Sequence, residues 1–220
     1  MFKMASGFGG VVYIGVKKAW NNWALPTNDY KLDTPPSPKK AKVFVWSGDR
    51  DNVGHVSMQL PSGAYTSIWP DKTIAVGPFA YLPLHATLAT ALEQDIKAES
   101  KGFTVELGAG EESLIPSHVK KLPDQEFSVT ISEPEKLEEE FKRIKEGVKQ
   151  GTIRYQLFAT SHPFPTSHLL HTDEEEYNCA TLVDHLLKEG GVPLPTNPHW
   201  RPSEFSEDLE KQSEVKKLSK

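Results

Sequence analysis

A single cysteine, Cys179, is present among the 220 residues of the chain. One thiol cannot form an internal disulfide, and it cannot supply the several cysteines of a structural zinc site. The fold must therefore be stabilised by the burial of apolar side chains, and a chain of this length can bury most of them. Cys179 itself has two interpretations, as a small apolar side chain of the core or as a nucleophile.

The charge and the apolar runs exclude several classes of partner. The net charge is −5 at pH 7, so no excess of basic residues is present to neutralise phosphates, and we expect no nucleic-acid partner. The apolar run at residues 7–16 is glycine-rich, too short for an integral membrane segment, and not followed by a signal-peptide cleavage site. We therefore expect a protein that is cytoplasmic or exported by a secretion system that needs no signal peptide.

Proline and charge patterns divide the chain into three parts. Residues 1–41 are predicted to be an N-terminal extension that ends in a linker rich in proline and lysine. Residues 42–205 are predicted to form the main folded domain. Residues 206–220 are predicted to be a charged C-terminal tail that forms a frayed helix.

The main domain is predicted to have an α+β fold. Runs of β-branched and aromatic residues predict strands at residues 42–48, 54–60, 65–70, 126–132 and 152–160. The second and third of these strands are separated by a short glycine-containing loop, which predicts a hairpin. Helical periodicity and terminal signals predict a helix at residues 134–150, and the spacing at residues 84–100 also favours a helix.

The segment around Cys179 is predicted to be the start of a helix. Apolar residues at helical spacing follow it, and the Gly190-Gly191 pair ends the pattern. The thiol would lie in the first turn, where unpaired backbone N–H groups favour a thiolate and can hold an oxyanion. The glutamates at residues 174–176 would oppose a thiolate if they lay close to it. A nucleophilic cysteine also needs a nearby imidazole.

Among the eight histidines, His55 is the best placed for this role. It is the first residue of a predicted strand, so its imidazole would be held at the mouth of the sheet. A polar loop at residues 160–176 contains three more, and this loop is long enough to form a lid. For these three we favour a solvated loop over a metal site: His162, His168 and His171.

Two stretches carry a resemblance to a known group of proteins. "GHVSMQLPSGAYTSIWP", followed far downstream by "YNCATLVDHLL", resembles the permuted papain-like fold of the NlpC-like cysteine peptidases and the lecithin–retinol acyltransferase-like proteins. The resemblance covers residues 42–205 and implies a papain-like catalytic domain in which an antiparallel sheet packs against a nucleophile-bearing helix. It implies that Cys179 is the nucleophile, that His55 is the general base, and that Asn178 supports the nucleophile or the oxyanion.

The residue that orients the imidazole departs from the pattern of these relatives. They often place a His, Asn or Gln on the second strand of the hairpin, where this sequence has Ser67. A serine hydroxyl can accept the imidazole N–H, although it orients the ring more weakly than an amide or a carboxylate. Gln59 is an alternative because alternation along the strand places it on the same face as His55. Asp49 and Asp51, in the loop before the strand, are further possibilities.

The resemblance implies a cysteine hydrolase that cleaves an amide bond through a thioester and needs no cofactor or metal. Its substrate would be a peptide, a protein, an isopeptide or peptidoglycan. A bacterial effector is one such protein, and secretion machinery or an inhibitor would then be a partner. Two alternatives remain open: a lipid acyltransferase or phospholipase of the retinol-acyltransferase type, and a non-catalytic binding module on the same scaffold.

Overall fold

The computed structural model of the protein describes residues 13–15, 39–48, 53–71, 74–75, 82–100, 104–107, 111–114, 121–159, 174–196 and 201–219. Outside these segments lies most of the predicted lid, including its three histidines. The loop acids Asp49 and Asp51 also lie outside them. Most of the predicted N-terminal extension and linker does so too.

The described residues form twelve strands and four helices, and the protein therefore has a mixed α+β fold. The strands are β1 Tyr13–Gly15, β2 Lys40–Trp46, β3 His55–Gln59, β4 Tyr65–Pro70, β5 Ile74–Ala75, β6 Leu84–Ala89, β7 Thr104–Leu107, β8 Glu111–Leu114, β9 Gln125–Thr130, β10 Ile153–Tyr155, β11 Glu175–Tyr177 and β12 Val215–Ser219. The helices are α1 Leu92–Ser100, α2 Pro134–Gln150, α3 Cys179–Glu189 and α4 Pro202–Glu210.

Eight of these strands form one sheet in the order β11-β10-β6-β4-β3-β2-β9-β12. Neighbouring strands in it are antiparallel, except that β10 and β11 run parallel. The other four strands form a second sheet in the order β5-β1-β7-β8. The predictions of an α+β class and of a largely antiparallel sheet are thus confirmed.

The predicted hairpin is the centre of the eight-stranded sheet. β3 and β4 are joined by a tight turn in which the Leu60 N–H donates to the Ala64 carbonyl at 2.7 Å. β3 is buried along its whole length because strands cover both of its edges and helices cover its faces. Alternation then sends the side chains of His55 and Ser57 to one face and those of Val56 and Met58 to the other.

Two apolar clusters pack against the sheet. The larger one joins β2, β3 and β9 to the helices α2, α3 and α4, and α3 packs directly on β3 and β4. The smaller one packs α1 against Phe44, Trp46 and Tyr65. Because Phe44 and Trp46 alternate with Val43 and Val45 of the larger cluster, the two clusters use alternate residues of the same strand. The Cys179 helix is thus anchored in the main core.

The helix predicted at residues 84–100 is wrong for its first half. Residues 84–89 form β6, which pairs with β4 in the register Trp69↔Thr87, and α1 begins only at Leu92. The apolar residues Leu84, Ala86 and Leu88 fit a period of two as well as a helical stripe, so the pairing with β4 decides the conformation. This late start of the helix leaves α1 short and places it over the smaller cluster.

The C-terminal tail also differs from its prediction as a helix. Helix α4 ends at Glu210, and the chain then forms β12, which pairs with β9 in the register Val215↔Val129. The alternation of apolar and polar residues in "VKKLS" is weak, and the strand forms because an edge of the sheet is available to it. Within the predicted N-terminal extension, residues 13–15 likewise form a strand, β1, which pairs with β5 and β7, and residues 40–41 already belong to β2.

Candidate active site

Cys179 is the first residue of α3, as predicted, and the preceding Asn178 fixes the start of that helix. The Thr181 N–H donates to Asn178 Oδ1 at 2.8 Å, and the Asn178 N–H donates to Thr181 Oγ1 at 2.9 Å, which forms a complete capping box. The Asn178 amide also donates to the Leu157 carbonyl at 2.9 Å and ties the helix start to the chain after β10. Asn178 therefore fixes the backbone at the residue that precedes Cys179.

His55 lies beside the thiol, and two indole rings hold its imidazole. Cys179 lies close enough to the imidazole to contribute, as a hydrogen-bonding neighbour, to the raised pKa of His55. The ring of Trp69 stacks on the imidazole with centroids 4.1 Å apart and planes 23° from parallel. Trp46, the cross-strand partner of His55, packs against it at 5.5 Å. His55 is only 2 % exposed, so its ring orientation is fixed by this packing.

The residue that contacts the other side of the imidazole is Asp95, on the first turn of α1. Its Oδ2 lies 3.2 Å from His55 Nε2, an ion-pair contact rather than a well-directed hydrogen bond. Asp95 is fully buried, so its charge has no access to water and depends on protein donors. The structure thus brings Cys179 and Asp95 together around the imidazole of His55.

Three further donors surround the Asp95 carboxylate. Ser67 Oγ donates to Oδ1 at 2.8 Å, and Trp69 Nε1 donates to the same oxygen at 2.7 Å. Tyr65 Oη lies 2.5 Å from Oδ2 and 2.6 Å from Ser57 Oγ. Since a phenol has one hydrogen, it donates to the carboxylate and accepts from the serine. Burial, Asp95 and Glu93 raise the pKa of Tyr65, which keeps it a neutral donor.

The structure gives Ser67 and Gln59 other roles than those predicted for them. Ser67 was expected to orient the imidazole itself. Its hydroxyl instead binds the carboxylate of Asp95, and that carboxylate contacts the ring. Gln59 is at the opposite end of β3 from His55, and its amide faces the Gly63 carbonyl at 3.4 Å. The pattern of α1 contains a signal for Asp95, which shares the buried stripe of Leu92 and Ile96. A carboxylate in such a stripe needs a buried partner.

The surroundings of His55 change its affinity for protons. Burial alone lowers the pKa of His55, but the charge and close contact of Asp95, with a contribution from Cys179, raise it to about 10. The ordinary value is 6.5. The folded protein therefore holds a proton on this imidazole through the neutral range.

We expect the free energy of unfolding to decrease as the pH rises from about 6.5 towards 10. The folded state keeps the His55 proton up to about pH 10, whereas the unfolded chain loses it near 6.5. The folded state binds more protons in this window, so the stabilisation is complete below it and is lost as the pH rises through it. Urea unfolding at several pH values measures this decrease. In Asp95→Asn the decrease should flatten, and an equally steep decrease there would contradict the assignment to His55.

Two of the three glutamates before Cys179 are engaged by arginines. Arg154 binds Glu174 at 3.0 Å, and Arg143 binds Glu175 at 2.6 Å. Arg143 also binds Glu140, and these contacts hold β11 beside α2. Glu140 in turn lies 2.6 Å from Nε2 of His185 on α3. The negative charge expected to oppose a thiolate is therefore partly compensated.

Cys179 lines a small cavity at the junction of several loops. The thiol is 6 % exposed, and the cavity is about 20 Å³, enough for one water molecule. Burial, followed by the neighbouring Cys179 and Glu99, raises the pKa of Tyr155, another lining residue. The remaining lining residues are Val53, Gly54, Leu157, Asn178, Arg201 and Pro202.

Among the residues that the structure describes, no cluster of three or more His, Cys, Asp or Glu residues is arranged to hold a metal ion. In the same part of the chain, no helix is long and apolar enough to cross a membrane. Comparisons with protein-family models, with curated proteins and with solved structures found no match to this chain.

Proposed function

We propose that the chain is a cysteine hydrolase that cleaves an amide bond through a thioester intermediate. One observation carries the proposal: the His55 imidazole is in contact with the Cys179 thiol and with the buried carboxylate of Asp95. A nucleophile, a base and a third group that orients the base form the arrangement by which enzymes activate a thiol. The arrangement also includes a helix start at the sulfur, where backbone N–H groups are available.

Each of the three residues has a separate role in the proposed reaction. His55 holds the proton that the thiol gives up, and its positive charge favours the thiolate of Cys179. The sulfur attacks the amide carbonyl, and the N–H groups of the first turn of α3 hold the oxyanion. The imidazolium gives its proton to the leaving amine as the C–N bond breaks. Water then attacks the thioester, with His55 again as the base, and releases the acid.

The pKa of His55 assigns the protonation state of its imidazole before the substrate binds. A pKa of about 10 means that the imidazole is protonated at neutral pH. An imidazolium beside the sulfur favours the thiolate form of a cysteine nucleophile. Asp95 makes the charged ring possible because it balances that charge at a site buried from solvent.

A permuted papain-like fold is part of the proposal. The imidazole comes from a strand in the N-terminal half and the thiol from a helix in the C-terminal half, which is the order that the resemblance implies. The packing of α3 on β3 and β4 supports it further, since a helix bearing the nucleophile lies on an antiparallel sheet.

Alkylation of the thiol tests the activated pair without a known substrate. We expect iodoacetamide at pH 7 to label Cys179 of the wild type about ten times faster than Cys179 of His55→Gln, because a thiolate reacts and a thiol does not. Mass spectrometry of the labelled peptide measures both rates, and Cys179→Ala controls for labelling elsewhere. Equal rates in the two proteins would mean that the imidazole does not activate the sulfur.

Amide cleavage itself needs a second experiment. The full chain is incubated with peptides, with isopeptide-linked peptides and with peptidoglycan fragments, and new amines are identified by mass spectrometry. Cleavage by the wild type and its loss in Cys179→Ala, at equal circular dichroism, is the expected result. Release of fatty acid from phospholipid vesicles, with no amide cleaved, would instead favour the lipid-directed alternative.

A further inference from the structure

A second and larger cavity lies between strand β6 and helix α2. β10 pairs with β6 only at Leu84 and His85, so no described strand covers this edge of β6 further along the chain. Helix α2 packs beside that edge and leaves a groove of about 280 Å³. This β6–α2 groove is lined by Tyr65, by residues 86–90 and by four residues of α2, and it shares no lining residue with the cavity at Cys179.

The size of the β6–α2 groove suits a small molecule. Residues 86–90 extend over about 13 Å, at roughly 3.3 Å per residue of a strand. The lining positions of α2, between residues 141 and 149, extend over about 12 Å, at about 1.5 Å per residue of a helix. The volume corresponds to about nine water-sized groups, at roughly 30 Å³ each. One short chain therefore fills the groove.

The walls of the groove are mainly hydrocarbon. Four of the apolar side chains that line it are only partly buried against the main core: Ala86, Leu88, Phe141 and Val148. Part of their surface therefore remains accessible from the groove. The hydroxyl of Tyr65 is already engaged in the active site. An alkyl chain in the groove would bury apolar surface on both partners, which is favourable.

Two ammonium groups on one face of α2 complete the lining. Lys145 and Lys149 are one helical turn apart, and both are exposed. Lys145 forms no ion pair with any residue in the described part of the chain. Lys149 lies 3.7 Å from Glu146, and the exposure of both side chains makes that pair weak. None of the described residues that line the groove is acidic, so its charge is positive.

We propose that the β6–α2 groove binds a free fatty carboxylate of about eight carbons, with its alkyl chain on the apolar walls and its carboxylate between Lys145 and Lys149. Like charges one turn apart repel each other, and a bound carboxylate compensates both. The hydroxyls of Thr87 and Thr90 are the other side-chain donors in the lining, too few for a strongly polar ligand. The site is separate from the proposed hydrolase and does not depend on it.

Binding of octanoate to the full chain tests the site. Isothermal titration calorimetry at low salt and pH 7 should give one site with a Kd of about 0.1 mM. 1-Octanol has the same chain without the charge and should bind about tenfold more weakly. Butyrate keeps the charge but lacks four methylenes, and it should also bind at least tenfold more weakly. Amide shifts in nuclear magnetic resonance spectra should be confined to residues 86–90 and 141–149.

Charge variants of α2 separate the groove from the rest of the helix. Lys145→Glu and Lys149→Glu should each weaken octanoate binding about tenfold and leave the Kd of 1-octanol unchanged. Lys142→Glu makes the same charge change on the exposed surface of α2, outside the groove lining, and should keep the wild-type Kd within about twofold. Circular dichroism shows that the variants are folded.

Several results would overturn the proposal. Octanoate shifts centred on Leu157 and Asn178 would place the ligand in the cavity at the thiol instead. Tighter binding of the peptide acetyl-Glu-Val-Glu-Val-amide, or of phosphatidylglycerol vesicles, would give the groove another occupant. Equal weakening in Lys142→Glu would show a general effect of net charge.

The failure of this site and the failure of the proposed function are distinguishable. Cys179→Ala should bind octanoate as tightly as the wild type, because the two cavities share no residue. Absence of octanoate binding would overturn the groove site and leave the hydrolase standing. Alkylation of Cys179 at the rate of an unactivated thiol would overturn the hydrolase and leave the groove site standing.

Discussion

Replacement of Asp95 by alanine is expected to lower the free energy of unfolding by about 3–5 kcal/mol, because it leaves a buried charge without its partner. His55 is 2 % exposed and would have to lose its proton or remain charged without compensation. The hydroxyls of Tyr65 and Ser67 and the indole N–H of Trp69 would also lose their acceptor. Urea unfolding measured at pH 7 by circular dichroism gives this change directly.

The same replacement should also remove the reactivity of Cys179. Without the carboxylate, burial lowers the pKa of His55, and only the smaller contribution of Cys179 still raises it. We therefore expect alkylation by iodoacetamide to slow to the rate found in His55→Gln. Asp95→Asn separates the two effects, since its amide oxygen can still accept from Ser67 and Trp69 but carries no charge. It should be more stable than Asp95→Ala and equally unreactive.

A control for Asp95→Ala is an acidic residue without these contacts. Glu207 is exposed on α4, and Glu207→Ala should change the stability by no more than about 0.5 kcal/mol. If Asp95→Ala is as mild as Glu207→Ala, the carboxylate does not hold the imidazole charge. If Asp95→Asn reacts with iodoacetamide as fast as the wild type, Asp95 has no part in the activation of the thiol.

The parts of the site that depend on local sequence could be predicted. Glycine, proline and strand-forming residues define the β3–β4 hairpin within 20 residues, and an asparagine cap before an apolar stripe defines the start of α3. Both His55 and Cys179 are the first residues of these elements, so their placement follows from the boundaries. A resemblance in the same two stretches suggested that they meet.

The third residue could not be predicted in the same way. Asp95 lies 40 positions after His55, and it reaches the imidazole only because residues 84–89 form a strand and α1 then packs over the smaller cluster. The sequence of α1 alone indicates a buried carboxylate, but it does not identify the residue that this carboxylate contacts. Strand β12 is a similar case, since its conformation depends on pairing with β9 and not on its own residues.

Substitution of Gly54 is the second change that is expected to have a large effect, because this residue lies against the end of β2 and directly before His55. It directly precedes His55 and has a φ of +83°, a conformation that side chains with a Cβ rarely adopt. A Cβ at this position would lie 2.5 Å from the Trp46 carbonyl oxygen and 2.7 Å from the Gly48 amide nitrogen. Both contacts are with backbone atoms at the end of β2, so they cannot be relieved by a change of rotamer.

We expect Gly54→Ala to lower the free energy of unfolding by about 2–5 kcal/mol, the sum of backbone strain and of overpacking. Gly63→Ala is a matched control, since Gly63 has a φ of +88° but a Cβ there would meet no atom within 4 Å. It should cost only the strain, about 1–2 kcal/mol. The difference between the two variants in urea unfolding isolates the effect of the backbone contacts with β2.

The two glycine variants should differ further in the reactivity of the thiol. Relief of the clash at Gly54 has to move either the end of β2 or the start of β3, and His55 begins β3. A shift of a few tenths of an ångström at that residue changes the contact of its imidazole with both Cys179 and Asp95. Alkylation of Cys179 should therefore slow in folded Gly54→Ala and stay at the wild-type rate in Gly63→Ala. Equal stability and equal rates in the two variants would mean that the close approach of Gly54 to β2 does not position the imidazole.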